Sequence, residues 1–437
     1  MTHQQIALCP NLERREGRLQ FAGQDTVALA QTYGTPLYLM DEDRIRHNCR
    51  LYRESFSDCF PEGSRVLYAS KAASFRQMCR IVAEEGMGLD VVSSGEIYTA
   101  QAAGFPMERI YYHGNSKSDQ DIVFALDAGV GCFVVDGEEE LLALEAEACR
   151  RDLRQKVLLR ITPGIDPHTY AAVSTGQVDS KFGMSIETGQ AEAFTRLALK
   201  QPHLDVAGFH CHVGSQVFWE DVFERSVMVM MAFIRTIRDR CGYLPEELDL
   251  GGGYGVRYVE SDPEIHIPRK IASVAETLHA IAKRLDLPVP KVLMEPGRSI
   301  VADAGMTLYT VGTVKQITGY KRYVAVDGGM SDNPRYALYG SAYTCFNAGR
   351  MDDAADMRCD LVGKCCESGD IIQPDILLPA ATKRGDIIAV CTTGAYNFSM
   401  ASGYNRLLRP PVILLRDGRS YVAVKRETLA DLIRLDA

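Results

Sequence analysis

Lys71 follows the apolar run Val66-Leu67-Tyr68-Ala69, in the segment Tyr68-Ala69-Ser70-Lys71-Ala72. A lysine amine held in a partly buried place gives up its proton more easily and can then form a Schiff base with a carbonyl. Taken alone, such a residue is more often a surface lysine. Gly251-Gly252-Gly253 follows another apolar run, Leu248-Asp249-Leu250. Backbone without side chains can approach a phosphate closely and offer it N–H groups. The dinucleotide pattern fails, because Val256 stands where the third glycine belongs. Glu295 ends the run Val292-Leu293-Met294. A carboxylate there can keep a pyridine nitrogen protonated and make the ring an electron sink. His210 and His212 are two apart, so on a strand they share a face while Cys211 turns away. With no carboxylate or third histidine nearby in sequence, zinc is disfavoured and no metal is expected. An imidazole stacked on a flat cofactor ring fits better. Cys365-Cys366-Glu367-Ser368-Gly369-Asp370 sets two thiols beside two acids and can supply a proton donor. Cys365 also fits as a buried structural thiol. A lysine, a phosphate nest, a carboxylate and a stacking histidine together point to pyridoxal 5′-phosphate.

The elements that must hold these groups are short apolar runs ended by polar landmarks. Val66–Ala69, Leu89–Val92, Ile110–Tyr112, Cys132–Val135, Val157–Leu159, Val206–Phe209, Leu248–Leu250 and Val292–Met294 make eight strands, with helix-length segments between them. Functional groups at the C-terminal ends of eight βα units describe a (β/α)₈ TIM barrel with one site at its mouth. Helices are expected over 25–33, 41–56, 95–103 and 136–151, and a short strand over 36–40. The long segment after the fifth strand holds Thr162-Pro163-Gly164, His168 and Ser180-Lys181-Phe182-Gly183. It has the features of an active-site loop. Past residue 300 the pattern changes to alternating β-branched and polar residues, as over 306–317, 323–326, 386–393 and 412–425.

At 437 residues the chain suits one barrel and one smaller domain. The expected division is an N-terminal segment 1–37 packing with the β domain, a barrel over 38–300, and a C-terminal β-rich domain over 301–437. A formal charge of −9 and a pI near 5.6 argue against a nucleic-acid partner. No apolar run approaches a membrane span, and residues 1–10 lack the basic start and apolar core of a secretory leader. Thirteen scattered cysteines suit a reducing, cytoplasmic setting.

With these residues in view the chain resembles the diaminopimelate decarboxylases, members of the alanine-racemase-like, barrel-type pyridoxal-phosphate enzymes. The resemblance runs from Gly34-Thr35-Pro36 to Arg409-Pro410. It rests on Tyr68–Ala72, Gly88–Glu96, His113–Lys117, Ser180–Gly183, His210–Gln216 and Leu250–Gly253. Glu295–Arg298, Asp327–Asp332, Cys366–Asp370 and Gly394–Tyr396 complete it. It implies decarboxylation of meso-2,6-diaminopimelate to L-lysine, the last step of lysine biosynthesis. Lys71 would carry the cofactor and His210 would stack on its ring. Ser215, Gly253 and the segment Glu295, Pro296, Gly297 and Arg298 would hold its phosphate end, with Glu295 at the ring nitrogen. Tyr396 would lie near cofactor and substrate. Arg298, Arg335 and Tyr339 would bind the carboxylate of the unreactive stereocentre, Glu367 its ammonium, and Cys366 would donate the proton. The resemblance also implies a homodimer whose active sites are shared across the interface. The neighbouring alternative is a decarboxylase of ornithine, arginine or lysine, and Arg335 with Tyr339 speaks against it, since those substrates have no distal carboxylate. The chain departs from the family at Thr162, where asparagine is usual, at Tyr336, where proline is usual, and near Gly403 and Leu407-Leu408.

Overall fold

A computed structural model describes residues 3–165, 180–219 and 221–437. His168, placed above in the loop after the fifth strand, lies outside the described residues. The chain divides into two compact units, residues 48–255 with 265–299, and residues 1–47 with 256–264 and 300–437.

The first unit is a closed parallel barrel. Its strands are β1 (Arg65–Ala69), β2 (Gly88–Val91), β3 (Ile110–Tyr112), β4 (Cys132–Val135), β5 (Gln155–Thr162), β6 (Leu204–His210), β7 (Glu247–Asp249) and β8 (Lys291–Met294). Each pairs in parallel with the next, and Leu293 and Met294 of β8 pair with Arg65 and Val66 of β1 to close the ring. The strands are mostly apolar, and buried along most of their length, because they are covered on both faces. Leu67, Tyr111, Cys132, Val134, Leu158, Ala207 and Leu293 form one buried cluster, so the barrel encloses a packed core and leaves only its mouth for chemistry. Some of the connecting helices begin where the sequence offers a side-chain acceptor. Ser93 accepts from the Glu96 N–H, and Ser118 forms a reciprocal cap with Asp121. The helix Ser94–Ala103 forms as expected, but its apolar side is narrow. Ile97 and Ala100 are buried, whereas Tyr98 is 63% exposed.

The second unit is β-rich. Its spine is the 13-residue strand Gly305–Ile317. That strand pairs with Leu37–Asp41, with Ile387–Cys391 and with Lys321–Val326. The strand Leu37–Asp41, assigned from sequence to the start of the barrel, therefore belongs to this sheet. It is buried along its whole length, as central strands of either unit would be, so local pattern does not separate the two. The expected strand over 412–425 is a hairpin, Val412–Arg416 and Arg419–Val424. Leu12, Leu19, Phe21, Leu37, Leu39, Leu308 and Ile413 join one core, so the N-terminal strands pack within this unit. All thirteen cysteines are free. No helix among the described residues is long and apolar enough to cross a membrane.

Candidate active site

The barrel strands deliver their polar ends to one mouth. Lys71 sits on a single 3-10 turn, Ser70–Ala72, that caps β1. Ser70 and Ala72 are buried and anchor the turn, while Lys71 itself is exposed at the mouth rather than partly buried. Beside it, β8 runs into Glu295, which is 6% exposed. The Pro296 carbonyl accepts from the Ala69 N–H at 3.1 Å, tying this loop to the end of β1. A Cβ on Gly297 would stand 2.9 Å from that of Ala69 and 3.1 Å from that of Ala72, so only glycine lets the two loops meet.

Three loops converge through the glycine run. Gly251 has φ +68° and Gly253 φ +128°. A Cβ on Gly252 would lie 2.0 Å from the Glu295 carbonyl, and one on Gly253 2.1 Å from the Gly214 carbonyl. The run thus draws the backbones after β6, β7 and β8 together, which is the cradle a phosphate requires. His212 belongs to this framework. It lies beyond the end of β6, and its Nδ1 accepts from the Gly252 N–H at 3.3 Å. The sequence paired it with His210 on a shared strand face, but the strand stops at His210.

His210 is 1% exposed, and burial lowers its pKa to about 4, against the pull of Glu295. It is therefore a neutral imidazole at physiological pH. Its Nε2 lies 3.4 Å from Glu295 Oε1. His113, the residue after β3, brings its own Nε2 to 2.9 Å from the same oxygen, with Asp90 Oδ1 at 3.7 Å. These two histidines meet edge to face, centroids 4.9 Å apart. Burial would raise the Glu295 carboxyl, but His113 foremost, with the close contact to His210, outweighs it and holds the group well below the ordinary carboxylate range. Asp249 behind it is fully buried, and desolvation together with Glu295 keeps its carboxyl well above that range. Burial also pushes Glu96 up to about 7, against the Val92 N–H that it accepts at 2.7 Å. Arg298 donates through Nη2 to Ser215 Oγ at 3.0 Å.

Many of these buried atoms are in contact range without a hydrogen bond of proper geometry. Among the described residues, Asp90 Oδ1, His113 Nε2, both ring nitrogens of His210 and Glu295 Oε1 have no such bond. The His113 Nε2 to Glu295 Oε1 distance of 2.9 Å is nonetheless within hydrogen-bond range. A buried polar atom left so costs about 1–3 kcal/mol. Several around one mouth fit a polar guest with a ring nitrogen and an anionic end. His113, His210 and Glu295 also bring donor atoms within 4.8 Å of one another, a spacing a divalent ion would accept. The sequence could not show this trio, because its members come from strands 3, 6 and 8.

The β-rich unit carries the remaining predicted residues in two groups. Arg335 opens a short helix, Arg335–Tyr339, and is 6% exposed. Its guanidinium lies over the Tyr339 ring at 4.6 Å and the Tyr396 ring at 5.2 Å, and its Nε has no hydrogen-bond partner among the described residues. Tyr336 takes part in this turn, accepting the Gly340 N–H at 2.8 Å. Tyr396 has φ +66°, an uncommon conformation for a bulky residue. The second group is the loop 363–370. Asp370 pins it, accepting from the N–H groups of Met330 and Cys365, both at 2.6 Å. Cys365 is buried and Cys366 is exposed. The Cys366 N–H donates to Asn405 Oδ1 at 2.7 Å, and Glu367 Oε1 accepts from the Gly369 N–H at 3.2 Å. The loop thus presents an exposed thiol and an exposed carboxylate on a fixed backbone.

The family model for the pyridoxal-binding domain of pyridoxal-dependent decarboxylases matches residues 42–302. The diaminopimelate decarboxylase of Bacillus subtilis (strain 168) is 44% identical over 425 residues, covering 97% of this chain and 96% of the relative. That of Mycobacterium tuberculosis (strain H37Rv) is 40% identical, covering 99% of each. Among solved structures, the diaminopimelate decarboxylase of M. jannaschii in co-complex with L-lysine matches at TM-score 0.91 and 32% identity, covering 99% of each chain. The lysine/ornithine decarboxylase of Vibrio vulnificus complexed with putrescine matches at TM-score 0.75 and 26% identity, covering 89% of this chain and 96% of the other.

Proposed function

The chain belongs to the diaminopimelate decarboxylases, and from that membership we propose that it removes CO₂ from meso-2,6-diaminopimelate to leave L-lysine, with pyridoxal 5′-phosphate as cofactor. When bound, the cofactor supplies an electron sink conjugated to the reacting carbon. Lys71 is its covalent anchor, on a turn held between buried neighbours. Glu295, kept ionised, holds a proton at the ring nitrogen, and neutral His210 offers a flat face that adds no charge against it. Gly253 and Ser215, with the segment Glu295 to Arg298, cradle the phosphate end.

Arg298, Arg335 and Tyr339 hold the carboxylate of the unreactive stereocentre, Tyr396 lines the same place, and Glu367 binds the ammonium. The observation that carries this substrate choice is Arg335. A buried guanidinium held over two tyrosine rings, with an unmet Nε, is a preorganised fork for a carboxylate. A distal end gripped in this way fixes how the reacting carbon meets the cofactor, and such orientation lowers a barrier by several kcal/mol. Cys366 returns the proton to that carbon. Each active site takes Lys71 from one chain and Cys366 from the other, so the working unit is a homodimer, and its free thiols suit the cytoplasm.

The test is a product assay with meso-diaminopimelate, L-lysine and L-ornithine as substrates. Only meso-diaminopimelate is expected to release CO₂ efficiently, with L-lysine formed in equal amount and no loss on chelation with EDTA. Lys71→Ala should abolish both activity and the borohydride-trapped cofactor adduct. Equal turnover of ornithine would overturn the substrate assignment, and stoichiometric trapping in Lys71→Ala would overturn the anchor.

A further inference from the structure

His113 has a position that the roles above do not use. Its backbone extends the sheet, with the His113 N–H donating to the Val91 carbonyl at 2.8 Å, so the ring is aimed by β2 and β3. The side chain is almost wholly enclosed, 4% exposed. Its Nε2 is 2.9 Å from Glu295 Oε1 and 3.7 Å from Asp90 Oδ1, and has no other hydrogen-bond partner among the described residues. The ring also abuts His210 edge to face. A histidine kept only for packing has no reason to aim its polar edge at two buried carboxylates, where an apolar side chain would fill the same volume without an unmet polar atom.

We propose that His113 is a positioning residue for the cofactor ring: its Nε2–H holds Glu295 by Oε1, leaving the other carboxylate oxygen for the ring nitrogen, while its edge braces His210. The inference rests on the assignment of Glu295 to that nitrogen. Glu295 can rotate about its side-chain bonds, and a carboxylate turned away from the nitrogen is a poor partner for it. A donor fixed to the barrel wall removes that freedom before the cofactor arrives, which is how a supporting group sharpens a site it does not touch. The 2.9 Å contact can tighten into a full hydrogen bond once the ring is seated, as catalytic contacts commonly do when their ligand binds.

The experiment compares dissociation constants for pyridoxal 5′-phosphate and its 1-deaza analogue, in which a C–H replaces the ring nitrogen. Both carry the aldehyde and the phosphate, so both can join Lys71. Wild type should prefer the natural cofactor. His113→Leu should reduce that preference at least tenfold, by weakening the natural cofactor while leaving the analogue nearly unchanged. His113→Gln, which keeps an N–H donor, should restore most of it. Should the leucine variant fail to fold, His113→Asn, too short to reach Glu295, carries the same expectation. Equal weakening of both ligands, or an unchanged preference, would overturn the role of His113. A wild type without any preference would instead overturn the assignment of Glu295 and this inference with it.

Discussion

Arg335 is the side chain on which the proposed substrate choice turns, and its setting makes a quantitative prediction. It is buried and held over two tyrosine rings, and its Nε has no hydrogen-bond partner among the described residues. Arg335→Ala should lower kcat/KM for meso-diaminopimelate by about 2–4 kcal/mol, the range for removing one member of a desolvated charge pair. Arg335→Lys should recover only part of this, because a point charge does not reproduce the fork. Steady-state kinetics check both, and a variant with full discrimination against lysine would contradict the role. At this scale the sequence was informative wherever a residue ends an apolar run. Lys71, His210 and Glu295 are all found that way, because a barrel strand ends where its side chain reaches the mouth. Two things were hidden. His113 ends its own run, but its partner Glu295 lies 182 positions later, and their convergence is tertiary (295 − 113). His212 keeps the two-residue spacing of a strand, yet the strand stops before it, so its imidazole serves the glycine loop.

The glycine run is the element that joins the loops of the mouth. Gly253 combines φ +128° with a carbonyl 2.1 Å from where its Cβ would be. Gly253→Ala should therefore force the loops after β6 and β7 apart. Cofactor affinity should fall at least tenfold, read by equilibrium dialysis, with a smaller change in the melting temperature of the cofactor-free protein. Unchanged affinity would remove the loop from the phosphate site. In the β-rich unit, Asp332 accepts the Gly329 N–H at 3.0 Å and meets the Tyr309 hydroxyl. Burial pushes its pKa from the ordinary 3.8 up to about 7. Between those values the folded protein keeps a proton that the unfolded chain has lost. The stability this gives is complete below the lower value and disappears as pH rises through the upper one, by at most about 4 kcal/mol. Asp332→Asn, which cannot ionise, should lose less stability than wild type between pH 5 and pH 8. Parallel melting profiles would contradict this. The barrel strands were legible from their apolar runs. The strand Leu37–Asp41 was not assignable to its unit, since buried strands look alike and only the pairing with Gly305–Ile317 decides.

For the whole molecule, length implied two domains, the eight capped apolar runs a barrel and the alternation past residue 300 a β-rich partner, and the two compact units carry those folds. The assignments of catalytic residues divide between the units, with Lys71 in the barrel and Cys366 on the pinned loop of the other. The account depends on those two residues meeting in one site across a two-fold axis. Lys71→Ala and Cys366→Ala homodimers should each be nearly inactive on meso-diaminopimelate. Mixing them in equal amounts after mild dissociation makes about half the dimers mixed. In a mixed dimer both defects fall in one site and the other site is intact, so activity should return to about a quarter of wild type. Re-pairing confirmed by native mass, with no return of activity, would place Lys71 and Cys366 in the same chain's site and contradict the account.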